Sequence, residues 1–213
     1  MNRLVPVVVA ILAGTVPCFA ESPANEPASP EEKFDFEAEM ARLRSGDTSV
    51  DFTRLRFELA ESGAFSPFAT AERGLRSELV AAVNADQCEK ALTIADKMLE
   101  INFFYPDAHT GAMICDDALG NSSQAAFHRA VLKSLFESIC APEAGLEDSH
   151  PCKVIAIYEE YFVLQTLGLQ FRGQSMHSCA GAPCDRMTAV DPETGDEITL
   201  YFDITIANEA MQR

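Results

Sequence analysis

The hydrophobic period of this chain changes once, and that change sets the fold class. From Phe34 to Ile139 apolar residues recur at spacings of three and four, whereas after Cys152 they alternate with polar ones. Spacings of three and four align side chains on one helix face, and a spacing of two aligns them on one face of a strand. Helices followed by strands indicate an α+β protein, with N-terminal antiparallel helical hairpins packed on a C-terminal antiparallel β-meander.

The helical half divides at its stop signals. Phe34 to Leu43 carries Phe36, Met40 and Leu43 on one face, and Phe52 to Glu61 ends at Ser62-Gly63. Phe65, Pro67 and Phe68 form a packed loop. In Asp86 to Glu100 the stripe is Cys88, Ala91, Leu92, Ala95, Met98 and Leu99, with Asp86 and Glu89 as a capping pair. Pro106 and Asp107 suit the first turn of the next helix, whose stripe is Ala108, Ala112, Cys115 and Leu119. Gly120 ends it, Asn121 or Ser122 caps the next helix, and Phe127, Val131, Leu135 and Ile139 follow every four residues. A shift of 35 residues lays Ala91 on Ala126 and Ala95 on Ala130. That is close to the tetratricopeptide period of about 34 and predicts about two tetratricopeptide-like hairpins.

Beyond Cys152 the pattern predicts strands at Lys153–Ile157, Tyr161–Leu169, Phe171–Met176, Arg186–Val190 and Glu197–Ile206. Ala180 to Pro183 and Asp191 to Gly195 are turn signals. In the last strand Ile198, Leu200, Phe202, Ile204 and Ile206 alternate with polar neighbours, so one face packs on the helices.

Residues 1–20 have the form of a signal peptide: Arg3, an apolar run from Leu4 to Val16, and Cys18 and Ala20 at the places a signal peptidase reads. Lipidation of Cys18 is the alternative, which Pro17 disfavours. Residues 21–33, rich in Pro, Glu, Ala and Ser, read as a disordered spacer; residues 34–140 form the helical part and 141–213 the β part. Cleavage after Ala20 leaves 15 basic residues against 33 acidic ones, a net charge of −18. Such a chain has no basic patch for nucleic acid, its remaining apolar runs do not span a membrane, and its charge reads first as solubility, with a cationic protein or peptide partner as the alternative. The expected location is the periplasm or the exterior.

An oxidising compartment makes the six remaining cysteines a disulfide framework. Cys88 and Cys115 fall at comparable heights on antiparallel helices, Cys179 and Cys184 flank a turn, and Cys140 and Cys152 bracket the loop between the two halves. Closing a ring of that last size contributes about 3 kcal/mol in the chain-entropy account. His150 and His177, each two residues before a cysteine, offer zinc ligation as the competing reading; no metal or cofactor is expected.

Asp51-Phe52-Thr53-Arg54-Leu55-Arg56, Ala126-Phe127-His128-Arg129, Glu159-Glu160-Tyr161-Phe162, Gly168-Leu169 with Gln174-Ser175, Thr194-Gly195 and Tyr201-Phe202-Asp203 occur in that order. Together they resemble the exported proteins grouped as domain-of-unknown-function family 4919. The resemblance runs from about Phe34 to Ile206 and implies a tetratricopeptide-like part followed by a β part, without an activity or substrate. The chain departs from that pattern where the family has a short glycine-rich loop and this sequence has Cys140 to Cys152.

Nucleophile elbows, phosphate-binding loops, paired-histidine zinc helices and Cys-x-x-Cys are missing from the sequence. Glu159 and Glu160 are read as solvated charges at a turn before a strand. The candidate binding residues are His128, Glu160, Tyr161, Gln174 and Asp203. A non-enzymatic protein- or peptide-binding module is the leading expectation. A hydrolase-like enzyme would bring His128, Glu160 and Asp203 into one cleft as acid and base, and a small-ligand or metal-binding module would need free thiols near His150 or His177.

Overall fold

A computed structural model of the chain describes residues 34–62, 65 and 70–211. The leader, the Cys18 alternative, the spacer, Pro67 and Phe68 lie outside the described residues. Asp35 accepts from Ala38 N and opens α1 (Phe36–Arg44); Asp51 accepts from Arg54 N at 2.9 Å and opens α2 (Phe52–Glu61). Each carboxylate satisfies an amide that a helix start leaves unpaired.

Between α3 (Thr70–Asn84) and α4 (Cys88–Ile101), Asp86 lies in the left-handed region at φ 55° and its amide donates back to Val83 O. Asp86 therefore closes α3 instead of capping α4, and the expected pair with Glu89 does not form. Pro106 starts α5 (Pro106–Leu119), and Gly120 ends it at φ 80°. Asn121 occupies the cap position of α6 (Ser122–Ile139), yet its amide bonds Asp116 Oδ1 at 3.0 Å instead of the helix. Ala91, Ala95, Met98, Ala108, Ala112 and Cys115 are buried together where α4 packs on α5. Leu119 is 42 % exposed, outside its expected stripe. Ala126 is exposed and Ala130 half-buried, so the burial of Ala91 and Ala95 is not repeated 35 residues on.

The C-terminal half holds β1 (Cys152–Lys153), α7 (Ile157–Thr166), β2 (Gln170–Cys179), β3 (Ala182–Val190), β4 (Glu197–Asp203) and α8 (Thr205–Met211). The sheet order is β1-β4-β3-β2; β2, β3 and β4 make the expected antiparallel meander, while β1 pairs parallel to β4. The fold is α+β with a mixed, mostly antiparallel sheet. Two expected strands are corrected. Lys153–Ile157 contributes only the end of β1, and Tyr161–Leu169 belongs mainly to α7, a helix whose Phe162, Val163 and Leu164 are all buried. Three consecutive buried side chains erase the amphipathic stripe from which a helix is read. Ile206 leaves its expected strand for α8, because Asp203 Oδ1 accepts from Thr205 N at 2.9 Å and turns the chain.

Ala180 and Gly181, at φ 50° and 91°, form the two-residue turn of the β2–β3 hairpin, and the Cys179–Cys184 disulfide braces it. The Cys140–Cys152 disulfide closes the loop from α6 to β1 with its Cα atoms 4.5 Å apart. Gly145 has φ 86°, and a Cβ there would meet Cys152 Sγ at 2.5 Å, so the close packing of this loop on its disulfide requires glycine. The third expected bridge is absent: Cys88 and Cys115 are buried free thiols. Burial and the neighbouring Cys88 thiol push the Cys115 thiol up to about 12. Cys115 is thus held as the thiol, away from the thiolate form that disulfide exchange requires.

Helices and sheet meet at Arg56 and Glu159, both fully buried. The Arg56 guanidinium donates to Glu159 Oε1 at 2.9 Å and Oε2 at 2.6 Å, to Ser138 O and Oγ, and to Lys153 O. Glu159 Oε2 also accepts from Ile155 N at 2.8 Å. Glu159, expected to be solvated, is a structural anion instead. Removing one partner strands a buried charge. Arg56→Met should lower unfolding stability by about 3–5 kcal/mol in urea titrations, and Arg56→Met/Glu159→Leu should recover part of that loss.

Candidate functional site

An open cleft of about 800 Å³ lies among α4, α5 and α6, with Arg44 from the end of α1 on its rim. Asp96 and Glu100 line it from α4, Asp116 from α5, and Phe127 and His128 from α6. Leu92, Leu99 and Phe103 supply apolar surface. Three carboxylates against one guanidinium make the wall acidic.

His128 is the predicted candidate that the fold places in this cleft. Behind it His109 is fully buried, its Nε2 2.7 Å from Phe103 O and its Nδ1 2.8 Å from His128 Nδ1. Burial pushes His109 down to about 3, so this ring is neutral at pH 7. A carbonyl only accepts, which puts the His109 proton on Nε2 and leaves Nδ1 to accept from His128 Nδ1–H. Burial also lowers His128, although Asp116 and Asp96 oppose that shift. Neutral His128 then presents the lone pair of Nε2, 3.8 Å from Asp116 Oδ2.

Glu160, Tyr161 and Gln174 come together elsewhere, where α7 packs on β2. Gln174 Nε2 donates to Asp185 Oδ2 and lies 3.5 Å from Glu160 Oε2. Glu160 is fully buried, contrary to its reading as a solvated charge. Burial first, then the Asp185 carboxylate, pushes Glu160 up to about 9. Its Oε1 receives no donor among the described residues. Tyr161 is partly exposed and packs against Phe171, with ring centroids 5.5 Å apart. Asp203 serves the start of α8. His128, Glu160 and Asp203 thus have three different sets of partners, and the acid–base grouping required of a hydrolase is not assembled.

The sequence reading missed His109, Asp116 and Asp185. His109 and His128 stand 19 residues apart with no local motif linking them. The zinc alternative loses its thiols, because Cys152, Cys179 and Cys184 are in disulfides; His177 faces Asp148 at 3.4 Å and His150 bonds Ser149. Among the described residues no group of three or more His, Cys, Asp or Glu is arranged to hold a metal. No helix of the described residues is long and apolar enough to cross a membrane. The chain matches no protein-family model, no curated protein and no solved structure.

The raised Glu160 gives a signed pH dependence. The folded chain keeps a proton that the unfolded chain releases above the ordinary carboxylate value of 4.5, so stability falls as pH rises from there toward about 9. Glu160→Gln should flatten this slope and exceed the wild type at pH 8, by on the order of a few kcal/mol. Urea midpoints at pH 5 and pH 8 measure the difference.

Proposed function

We propose that this chain is an exported, non-enzymatic module that binds a cationic segment of a protein or peptide in the cleft among α4, α5 and α6. The observation that carries the reading is the lining itself: Asp96, Glu100 and Asp116 around an apolar floor of Leu92, Leu99, Phe103 and Phe127. A basic peptide meets opposite charge at the rim and burial for its aliphatic stems within. Export is supported by the N-terminal leader pattern and by two disulfides in one short chain. The resemblance to domain-of-unknown-function family 4919 agrees with an envelope or secreted setting and adds no chemistry.

Half-buried His128 in a cleft is the feature expected of the hydrolase-like alternative. Binding is favoured over it because the cleft lining contains no hydroxyl or thiol nucleophile among the described residues and Glu160 is engaged at the sheet.

Fluorescence anisotropy with labelled twelve-residue peptides of net charge about +3, 0 and −3 tests the reading. Only the cationic peptides should bind, and they should be recovered intact by mass spectrometry. Asp96→Asn/Glu100→Gln, at two exposed positions, should weaken binding by about three- to tenfold and reduce its salt dependence. Equal binding of all three classes, or cleavage of the peptide, contradicts the proposal.

A further inference from the structure

We infer that the cleft recognises an arginine side chain, whose guanidinium bridges His128 Nε2 and Asp116 Oδ2; this rests on the binding reading above. The chain of hydrogen bonds from Phe103 O through His109 fixes the tautomer of His128, and so fixes what its outer nitrogen offers. Nε2 is an acceptor, and 3.8 Å away stands a second acceptor, a carboxylate oxygen. Two acceptors side by side on one wall, with no proton between them, call for a ligand that brings several N–H donors.

The surroundings narrow the donor. Asn121 holds the other Asp116 oxygen at 3.0 Å, which fixes the carboxylate's orientation. The Phe127 ring lies 5.4 Å from the His128 ring, and Phe103 lines the same cleft. A guanidinium is planar, carries five N–H donors, is weakly hydrated and stacks on aromatic rings; an ammonium is a compact, strongly hydrated charge. The titratable groups facing this position are Asp96 and Glu100 from α4, His109 and Asp116 from α5, His128 from α6 and Arg44 from the rim. With both histidines neutral, the three carboxylates outnumber Arg44, so the position attracts a cation. Protonation of His128 replaces the acceptor with a donor and adds a positive charge, so proton and ligand compete for Nε2.

The test is an NMR titration of the full chain with three probes, N-acetyl-arginine amide, N-acetyl-lysine amide and N-acetyl-citrulline amide, observing the His128 imidazole C–H signals. The arginine probe should shift these signals saturably and more tightly than the lysine probe, while the neutral citrulline probe leaves them in place. Affinity for arginine should fall as pH is lowered through the His128 titration. Asp116→Asn should weaken it by about tenfold or more. The wild-type pH profile gives the same answer without a substitution, should Asp116→Asn disturb folding. Citrulline or lysine binding as well as arginine, or an arginine affinity independent of His128 protonation, overturns the inference. If the cationic peptides bind in the cleft while the arginine probe does not, the inference falls and the binding reading stands; if neither binds, both fall.

Discussion

Arg56 donates five hydrogen bonds from a fully buried position, and the elements they reach cannot part without stranding its charge. The guanidinium belongs to α2, the carboxylate of Glu159 to α7, the Ser138 oxygens to α6 and the Lys153 carbonyl to β1. A buried ion pair is no guarantee of stability by itself, because desolvation of both ions opposes the attraction. Here the guanidinium finds five acceptor contacts, and Glu159 also accepts from Ile155 N. What the pair supplies is specificity: one arrangement of helices against sheet satisfies all the partners, and a displaced one satisfies few.

The functional reading depends on this joint indirectly. α6 carries His128 near its start and Ser138 near its end, so one helix both lines the cleft and contacts Arg56. The cleft in turn depends on buried chemistry one layer deeper, where His109 is neutral because it is shielded from water and its Nε2 proton is committed to Phe103 O. A surface group thereby receives a defined donor and acceptor character from an interior one. Asn121 serves the same end by using its amide on Asp116 instead of capping α6.

Much of the architecture is legible in the sequence because its signals are local. α2 covers the expected Phe52 to Glu61 and ends at the Ser62 stop, Pro106 and Gly120 delimit α5, and period-two alternation identifies the last three strands. α7 is misread because Tyr161, Phe162 and Val163 favour strands locally, and the consecutive burial of Phe162, Val163 and Leu164 leaves no helical stripe to read. Glu159 and Glu160 are misread for a related reason. Adjacent acids ordinarily face water, and only the tertiary partners reveal one as an ion-paired anion and the other as a buried acid. Within the cleft His128 is legible as a candidate, but its tautomer depends on His109, which no spacing rule connects to it.

Helices and sheet should therefore form one cooperative unit around Arg56. Native-state hydrogen exchange tests it most directly. The slowest amides of α2, α6, α7 and β4 should open with a common free energy equal to that of global unfolding. Exchange of the sheet at a distinctly lower free energy, with α2 and α6 still protected, would contradict it.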